Sequence, residues 1–156
     1  MNRPISRLLV IDASVARSAG ETEHPVSSTC REFLLAVRTI CHRVALTTEM
    51  NEEWSRHMSK FTRKWRVSMA ARRKPIQVVN PSELSVSVKG LSEADRRAIQ
   101  KDQCLLEAAF SADRVIVTRD DSLRQVLARM PQGQQWLEMI TWINPVSDGI
   151  AALKRL

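Results

Sequence analysis

The chain reads as an α/β protein of three α/β/α layers around a mainly parallel sheet of about five strands. Short apolar runs such as Leu8 to Ile11 and Val115 to Val117 alternate with segments of helical period. Strands separated in this way cannot be joined by hairpins, so they pair in parallel and helices cover both faces. At 156 residues, with no internal repeat and no linker, residues 1–156 are expected to form one domain.

Arg7 to Ile11 predicts a buried strand ending at Asp12, and the polar stretch Ser18 to Ser28, with Gly20 and Pro25, predicts a loop. A helix is expected from about Thr29 to His42, then a strand at Val44 to Leu46. Thr47 or Thr48 can cap a single long helix that carries Glu52 and Glu53 and ends before Pro75. Ile76 to Val79 reads as the third strand and Pro81 to Gly90 as irregular. Ser92 and Asp95 have the form of a capping box, opening helical sequence that runs through Asp102 to Phe110. Arg114 to Thr118 reads as a strand, Asp121 to Met130 as a helix halted by Pro131 and Gly133, and the region near Gln135 as a short helix. A last strand at about Ile140 to Ile143 precedes a terminal helix capped by Ser147.

Apolar residues make up 44% and charged residues 26%, which is the composition of a globular protein. No apolar run approaches the length of a membrane span, and the opening MNRPISRLLVIDAS lacks the apolar core of a secretory signal, so a cytoplasmic location without membrane association is expected. Cys30, Cys41 and Cys104 have no CxxC spacing and are expected to be buried free thiols. There is no Gly-rich phosphate loop, no HExxH and no GxSxG elbow, and His57 reads as a surface residue.

The net charge of +7 is concentrated in one segment. Arg56, Lys60, Arg63, Lys64, Arg66, Arg72, Arg73 and Lys74 fall between Trp54 and Pro75 with no Asp or Glu among them, and the rest of the chain is close to neutral. Such a block points to a polyanion, RNA or DNA before an acidic protein, through phosphate contacts that are salt-sensitive and sequence-blind. Trp54, Met58, Phe61, Trp65 and Met69 recur at the spacing of one helical face, so they are read as core rather than as a stacking platform for bases.

Four acids stand at the edges of apolar elements: Asp12, Glu53, Asp102 and Asp120. Their separations are 41, 49 and 18 residues, which a βα fold can bring together at the carboxyl ends of its strands. Carboxylates gathered there repel one another unless a divalent cation lies among them, so the pattern points to Mg²⁺ or Mn²⁺. A single Asp after a strand is as readily a helix cap, and Glu52 competes with Glu53, as Asp121 does with Asp120. Glu53 is preferred for its position beside Trp54, and Asp120 is preferred over Asp121.

At these residues the chain resembles the PIN-domain family. The matching pieces are Val10-Ile11-Asp12-Ala13-Ser14, Glu53-Trp54, Asp102 through Leu105-Leu106-Glu107-Ala108-Ala109, and Val117-Thr118-Arg119-Asp120. Together they extend over essentially the whole chain. The resemblance implies a metal-dependent endoribonuclease acting on single-stranded RNA, with Asp12, Glu53, Asp102 and Asp120 holding one or two Mg²⁺ or Mn²⁺ ions. Water activated by the metal would attack the phosphorus, and no protein nucleophile is needed. Ser14, Thr118 and Asp121 would support the acids, and Arg56, Lys60, Arg63 and Lys64 would guide the RNA backbone toward them. The family includes the toxin halves of toxin–antitoxin pairs, so an antitoxin is one conceivable partner. The sequence leaves open a homodimer as well. Two other readings compete: a non-catalytic RNA- or protein-binding module of the same fold, and a phosphoacceptor domain using Asp12, which the lack of a D-x-D pattern disfavours.

Overall fold

The computed structural model describes residues 5–156, so the first four residues of the opening stretch lie outside it. Five strands, β1 (Leu8–Ile11), β2 (Arg43–Leu46), β3 (Pro75–Gln77), β4 (Val115–Val117) and β5 (Thr141–Ile143), form one sheet in the order β3-β2-β1-β4-β5. Every pairing is parallel, with Leu8 opposite Arg43 and Val10 opposite Ile116. Leu9, Val10, Ile11, Ile116 and Val117 are wholly buried, as expected of strands covered on both faces.

Eight helices lie among the described residues: α1 (Ala13–Ser18), α2 (Pro25–Ile40), α3 (Thr48–His57), α4 (Lys60–Ala71), α5 (Glu93–Phe110), α6 (Ser122–Ala128), α7 (Pro131–Met139) and α8 (Gly149–Lys154). They pack as two groups. α2 touches α1, α4 and α8, and α1 touches α3, whereas α6 packs on α5 and α7. This is the three-layer α/β arrangement that the alternation of elements requires.

The chain runs from β1 outward through β2 to β3, then returns to the other side of β1 to make β4 and β5. The order therefore reverses between β1 and β4. The helices leaving neighbouring strands diverge at such a point and leave a crevice beyond the carboxyl ends. Asp12 immediately follows β1, and Thr118 to Asp120 follow β4.

Several sequence expectations are corrected. The single helix expected to run from Thr47 or Thr48 almost to Pro75 is two helices, α3 and α4, separated at Met58 and Ser59. Met58 N–H closes α3 on the Trp54 carbonyl, and Ser59 Oγ caps α4 by accepting from Thr62 N–H at 3.1 Å. The break is fastened to α1: Ser59 N–H and the Thr62 hydroxyl both donate to the Ala16 carbonyl, and Ser59 Oγ–H donates to that of Ala19. Carbonyls that the end of α1 leaves unpaired thus find donors in α4, an advantage that no local helical pattern reveals.

α2 begins at Pro25, not Thr29, because Pro suits the first helical turn and His24 Nδ1 accepts from Val26 N–H there. The loop read over Ser18 to Ser28 shrinks accordingly, and a short helix, α1, precedes it. Asp148 rather than Ser147 occupies the N-cap position of α8. Of the three cysteines only Cys30 is buried; Cys104 is half-buried and Cys41 is exposed, ending α2 at φ 71°. Gly133 is required for another reason: a Cβ there would lie 2.3 Å from the Leu127 carbonyl oxygen, so only glycine permits this approach of α7 to α6.

His42 is a buried polar residue on the far side of the sheet, where its Nδ1 accepts the Arg7 N–H at 2.9 Å. Burial holds its pKa below the usual 6.5. The unfolded chain therefore takes up a proton first as pH falls below 6.5, so this group's contribution is present above that pH and is lost on acidification. Asn at this position could still accept from Arg7 but cannot titrate. Chemical denaturation of His42→Asn should show a shallower loss of stability from pH 6.5 to pH 5 than the wild type, and equal slopes would show that His42 is not responsible.

Candidate functional site

A cavity of about 440 Å³ opens at the carboxyl end of the sheet, and Asp12, Glu53, Asp102 and Asp120 all line it. Each arrives on a different element. Asp12 sits between β1 and α1, Glu53 on α3, Asp102 inside α5 and Asp120 between β4 and α6. Met50, Trp54 and Leu105 add apolar wall, so the cavity is acidic but not uniformly wet.

Asp12 is the most firmly held of the four. Its Oδ2 accepts the Ser14 hydroxyl at 2.7 Å and the Thr118 hydroxyl at 2.9 Å. Each hydroxyl is itself aligned by a backbone donor: Ser14 Oγ accepts Arg119 N–H at 3.2 Å, and Thr118 Oγ1 accepts Asp120 N–H at 3.0 Å. With their single protons committed to Asp12, Ser14 and Thr118 orient that carboxylate as charge-assisted donors.

Asp120 Oδ1 accepts Ser122 Oγ–H at 2.6 Å and Ser122 N–H at 2.9 Å. These bonds, led by the hydroxyl, hold the Asp120 carboxyl below the ordinary Asp range. Capping and cavity-lining therefore reside in one residue. Asp121, expected as a supporting residue, occupies the N-cap position of α6 without bonding through its side chain to the helix. It faces Arg124 at 3.9 Å and lines a separate cavity with Trp142, so its supporting role is not seen here. Glu52 is exposed and does not line the acidic cavity, whereas Glu53 does.

Asp102 lies within α5, just before its buried residues Leu105, Leu106, Ala108 and Ala109, and is itself buried at 8% exposure. Burial, then the charge of Asp12, pushes its pKa up to about 6, with Asp120 and Glu53 adding to the rise and Lys101 opposing it. The four carboxylates thus affect one another through the cavity. Cys104 also lines it, and burial followed by the charges of Asp102 and Asp12 raises its thiol to about 11. It stays protonated at neutral pH and is no nucleophile.

The cations are distributed differently from the sequence expectation. None of Arg56, Lys60, Arg63 and Lys64 lines the cavity; all four are exposed on α3 and α4, and Lys64 pairs at 3.7 Å with Glu21 from the α1–α2 connection. Arg72, Arg73 and Lys74 precede β3 and so lie at the amino end of the parallel sheet, opposite the acids. The residues that do line the cavity are Arg17, His57, Lys101 and Arg119. Arg119 and Lys101 directly precede Asp120 and Asp102 in sequence, and that adjacency was the available signal. Trp54 and Trp65 are buried, 6.1 Å apart between ring centroids, and donate their indole N–H groups to Ile11 and Leu34 carbonyls, so they are core.

Comparison with family models, with curated proteins and with solved structures returned no match. No helix among the described residues is long and apolar enough to cross a membrane. The donor set consists of four carboxylates, which are hard oxygen ligands suited to Mg²⁺ or Mn²⁺; the Asp102 pKa is raised first by burial and then by the charge of Asp12, and a bound cation would offset the second of these. Among the described residues no three or more His, Cys, Asp or Glu side chains are gathered closely enough to hold a metal ion, so the four carboxylates line one cavity without forming a cage. The donor chemistry, though not the spacing of the side chains, suits a divalent cation.

Proposed function

We propose that the protein is a divalent-metal-dependent endoribonuclease that hydrolyses phosphodiester bonds of single-stranded RNA, in the manner of the PIN-domain proteins it resembles. The observation that carries this reading is the convergence of Asp12, Glu53, Asp102 and Asp120 on one cavity at the point where the strand order reverses. Caps scattered along a chain have no reason to share a cavity.

Asp12, Glu53, Asp102 and Asp120 would hold Mg²⁺ or Mn²⁺. Bound there, the cation supplies a source of hydroxide at neutral pH and a counter-charge for phosphoryl oxygens. Ser14 and Thr118 keep Asp12 in one orientation, so the ligand geometry is set before substrate arrives. Leu105, Met50 and Trp54 restrict bulk water on one side. The exposed cations of α3 and α4 form an outer surface that attracts the polyanion without touching the reacting phosphate. A toxin paired with an antitoxin is one cellular setting for such an activity.

Labelled single-stranded RNA incubated with wild type in Mn²⁺, Mg²⁺ or EDTA tests the reading. Cleavage is expected with either metal, none in EDTA, and none with Asp12→Asn under any condition. RNA bound but never cut, across several sequences and both metals, would instead identify a binding module that kept the fold.

A further inference from the structure

The cations lining the acidic cavity are not explained by holding metal, since a guanidinium or ammonium group repels it. Arg119 is the most ordered of them. Its side chain is half-buried, and its Nη1 donates to the Ser18 hydroxyl, whose own proton goes to the Ser14 carbonyl at 2.7 Å. Its backbone N–H is also held, by Ser14 Oγ, and its carbonyl accepts from the buried Asn144 amide at 3.4 Å.

Ser14 and Ser18 stand four residues apart on α1 and so face the same way. Ser14 orients the Asp12 carboxylate and Ser18 orients the Arg119 guanidinium. One helix face thus carries both anchors, about one helical turn apart or roughly 6 Å along the axis, with the acidic centre bonded to one and the Arg119 guanidinium to the other. That is of the order of one step between neighbouring phosphates along a single strand. Tethering through Nη1 leaves the rest of the guanidinium fork available for an anion. Arg17, on the last turn of α1, and Lys101, on α5 beside Asp102, are exposed and line the same cavity.

We propose that Arg119, assisted by Arg17 and Lys101, binds the phosphate adjacent to the one cut, so that the substrate is gripped inside the cavity rather than on the α3–α4 surface. This rests on the nuclease reading and adds a substrate requirement to it. The minimal substrate carries two phosphates: one reaches the carboxylate centre and the other lies on Arg119.

Isothermal titration calorimetry with ribodinucleotides tests this without requiring cleavage. Three ligands in Ca²⁺ buffer suffice: the dinucleotide with no terminal phosphate, its 5′-phosphorylated form and its 3′-phosphorylated form. One of the two terminal phosphates should tighten wild-type binding at least about tenfold. In Arg119→Ala that gain should fall below about twofold, and Arg119→Lys should keep part of it because charge survives while the fork is lost. Ser18→Ala, which frees the guanidinium without removing it, should lose less of the gain than Arg119→Ala. The proposal is overturned if neither terminal phosphate adds affinity in wild type, if no dinucleotide binds, or if Arg119→Ala retains the full gain. The nuclease reading fails separately: Arg119-dependent binding of the phosphorylated dinucleotide with no cleavage of RNA in Mn²⁺ would leave the phosphate site standing and remove the reaction.

Discussion

Replacing Asp102 with Asn should make the metal-free protein more stable at pH 8 while abolishing RNA cleavage. The carboxyl is buried, and desolvation together with the charge of Asp12 raises its pKa from 3.8 to about 6. The unfolded chain releases this proton near pH 3.8 and the folded chain only near pH 6. Between those values the native state holds more protons, so stability falls as pH rises, and above about pH 6 the whole penalty is in force. A shift of this size corresponds to about 2–3 kcal/mol, part of which the amide forfeits through its own burial.

Thermal unfolding in EDTA should therefore show Asp102→Asn melting several degrees above wild type at pH 8, with the gap closing at pH 4. Mn²⁺ should raise the wild-type melting temperature by more than that of the variant, because binding to the folded state stabilises it in proportion to affinity. An unchanged gap at pH 4 would mean that the charge is not the cause. A variant that melts below wild type at pH 8 would contradict the origin assigned to the pKa shift.

Trp54→Ala should cost about 3–5 kcal/mol, the range for deleting a large buried aromatic ring, and lower the melting temperature by roughly 10 °C in a chain of this length. Trp54 is 1% exposed, stands against Trp65 and donates its indole N–H to the Ile11 carbonyl at 2.9 Å. That bond ties α3, which carries Glu53, to the end of β1, which leads into Asp12. Trp54→Phe separates the two contributions: it keeps most of the ring but leaves the Ile11 carbonyl unpaired, at about 1–3 kcal/mol. In Mn²⁺ titrations Trp54→Phe should also bind the metal more weakly than wild type, because the join between the two carboxylate-bearing elements is loosened. Unchanged metal affinity would confine Trp54 to the core.

The parallel sheet was readable because each strand is a short apolar run isolated between helical segments, a local property of the residues. The same holds for the four acids. Each was identified by its place beside an apolar element, and chain topology then brings Asp12 and Asp120 to the reversal point between β1 and β4. The choice of Glu53 over Glu52 followed from its position next to Trp54, and Glu53 and Trp54 both line the cavity while Glu52 is exposed elsewhere.

Other features depended on contacts between residues far apart in sequence. The break between α3 and α4 exists because Ser59 and Thr62 meet the carbonyl end of α1, forty to forty-six residues earlier in the chain. The basic segment reads as one patch in sequence, yet α4 carries its later residues to the amino end of the strands, away from the acids at the carboxyl ends.

The sequence by itself determined the five strands, their parallel pairing and the four acids that line the cavity, since these depend on periodicity and on residue type. Only the tertiary structure decided which cations stand beside those acids. Arg17, Lys101 and Arg119 come from three separate elements, and charge counted along the chain favours a dense run over scattered residues. Electrostatic action between these cations and the acids falls off with distance in space, and that distance is set by how the helices close around the sheet.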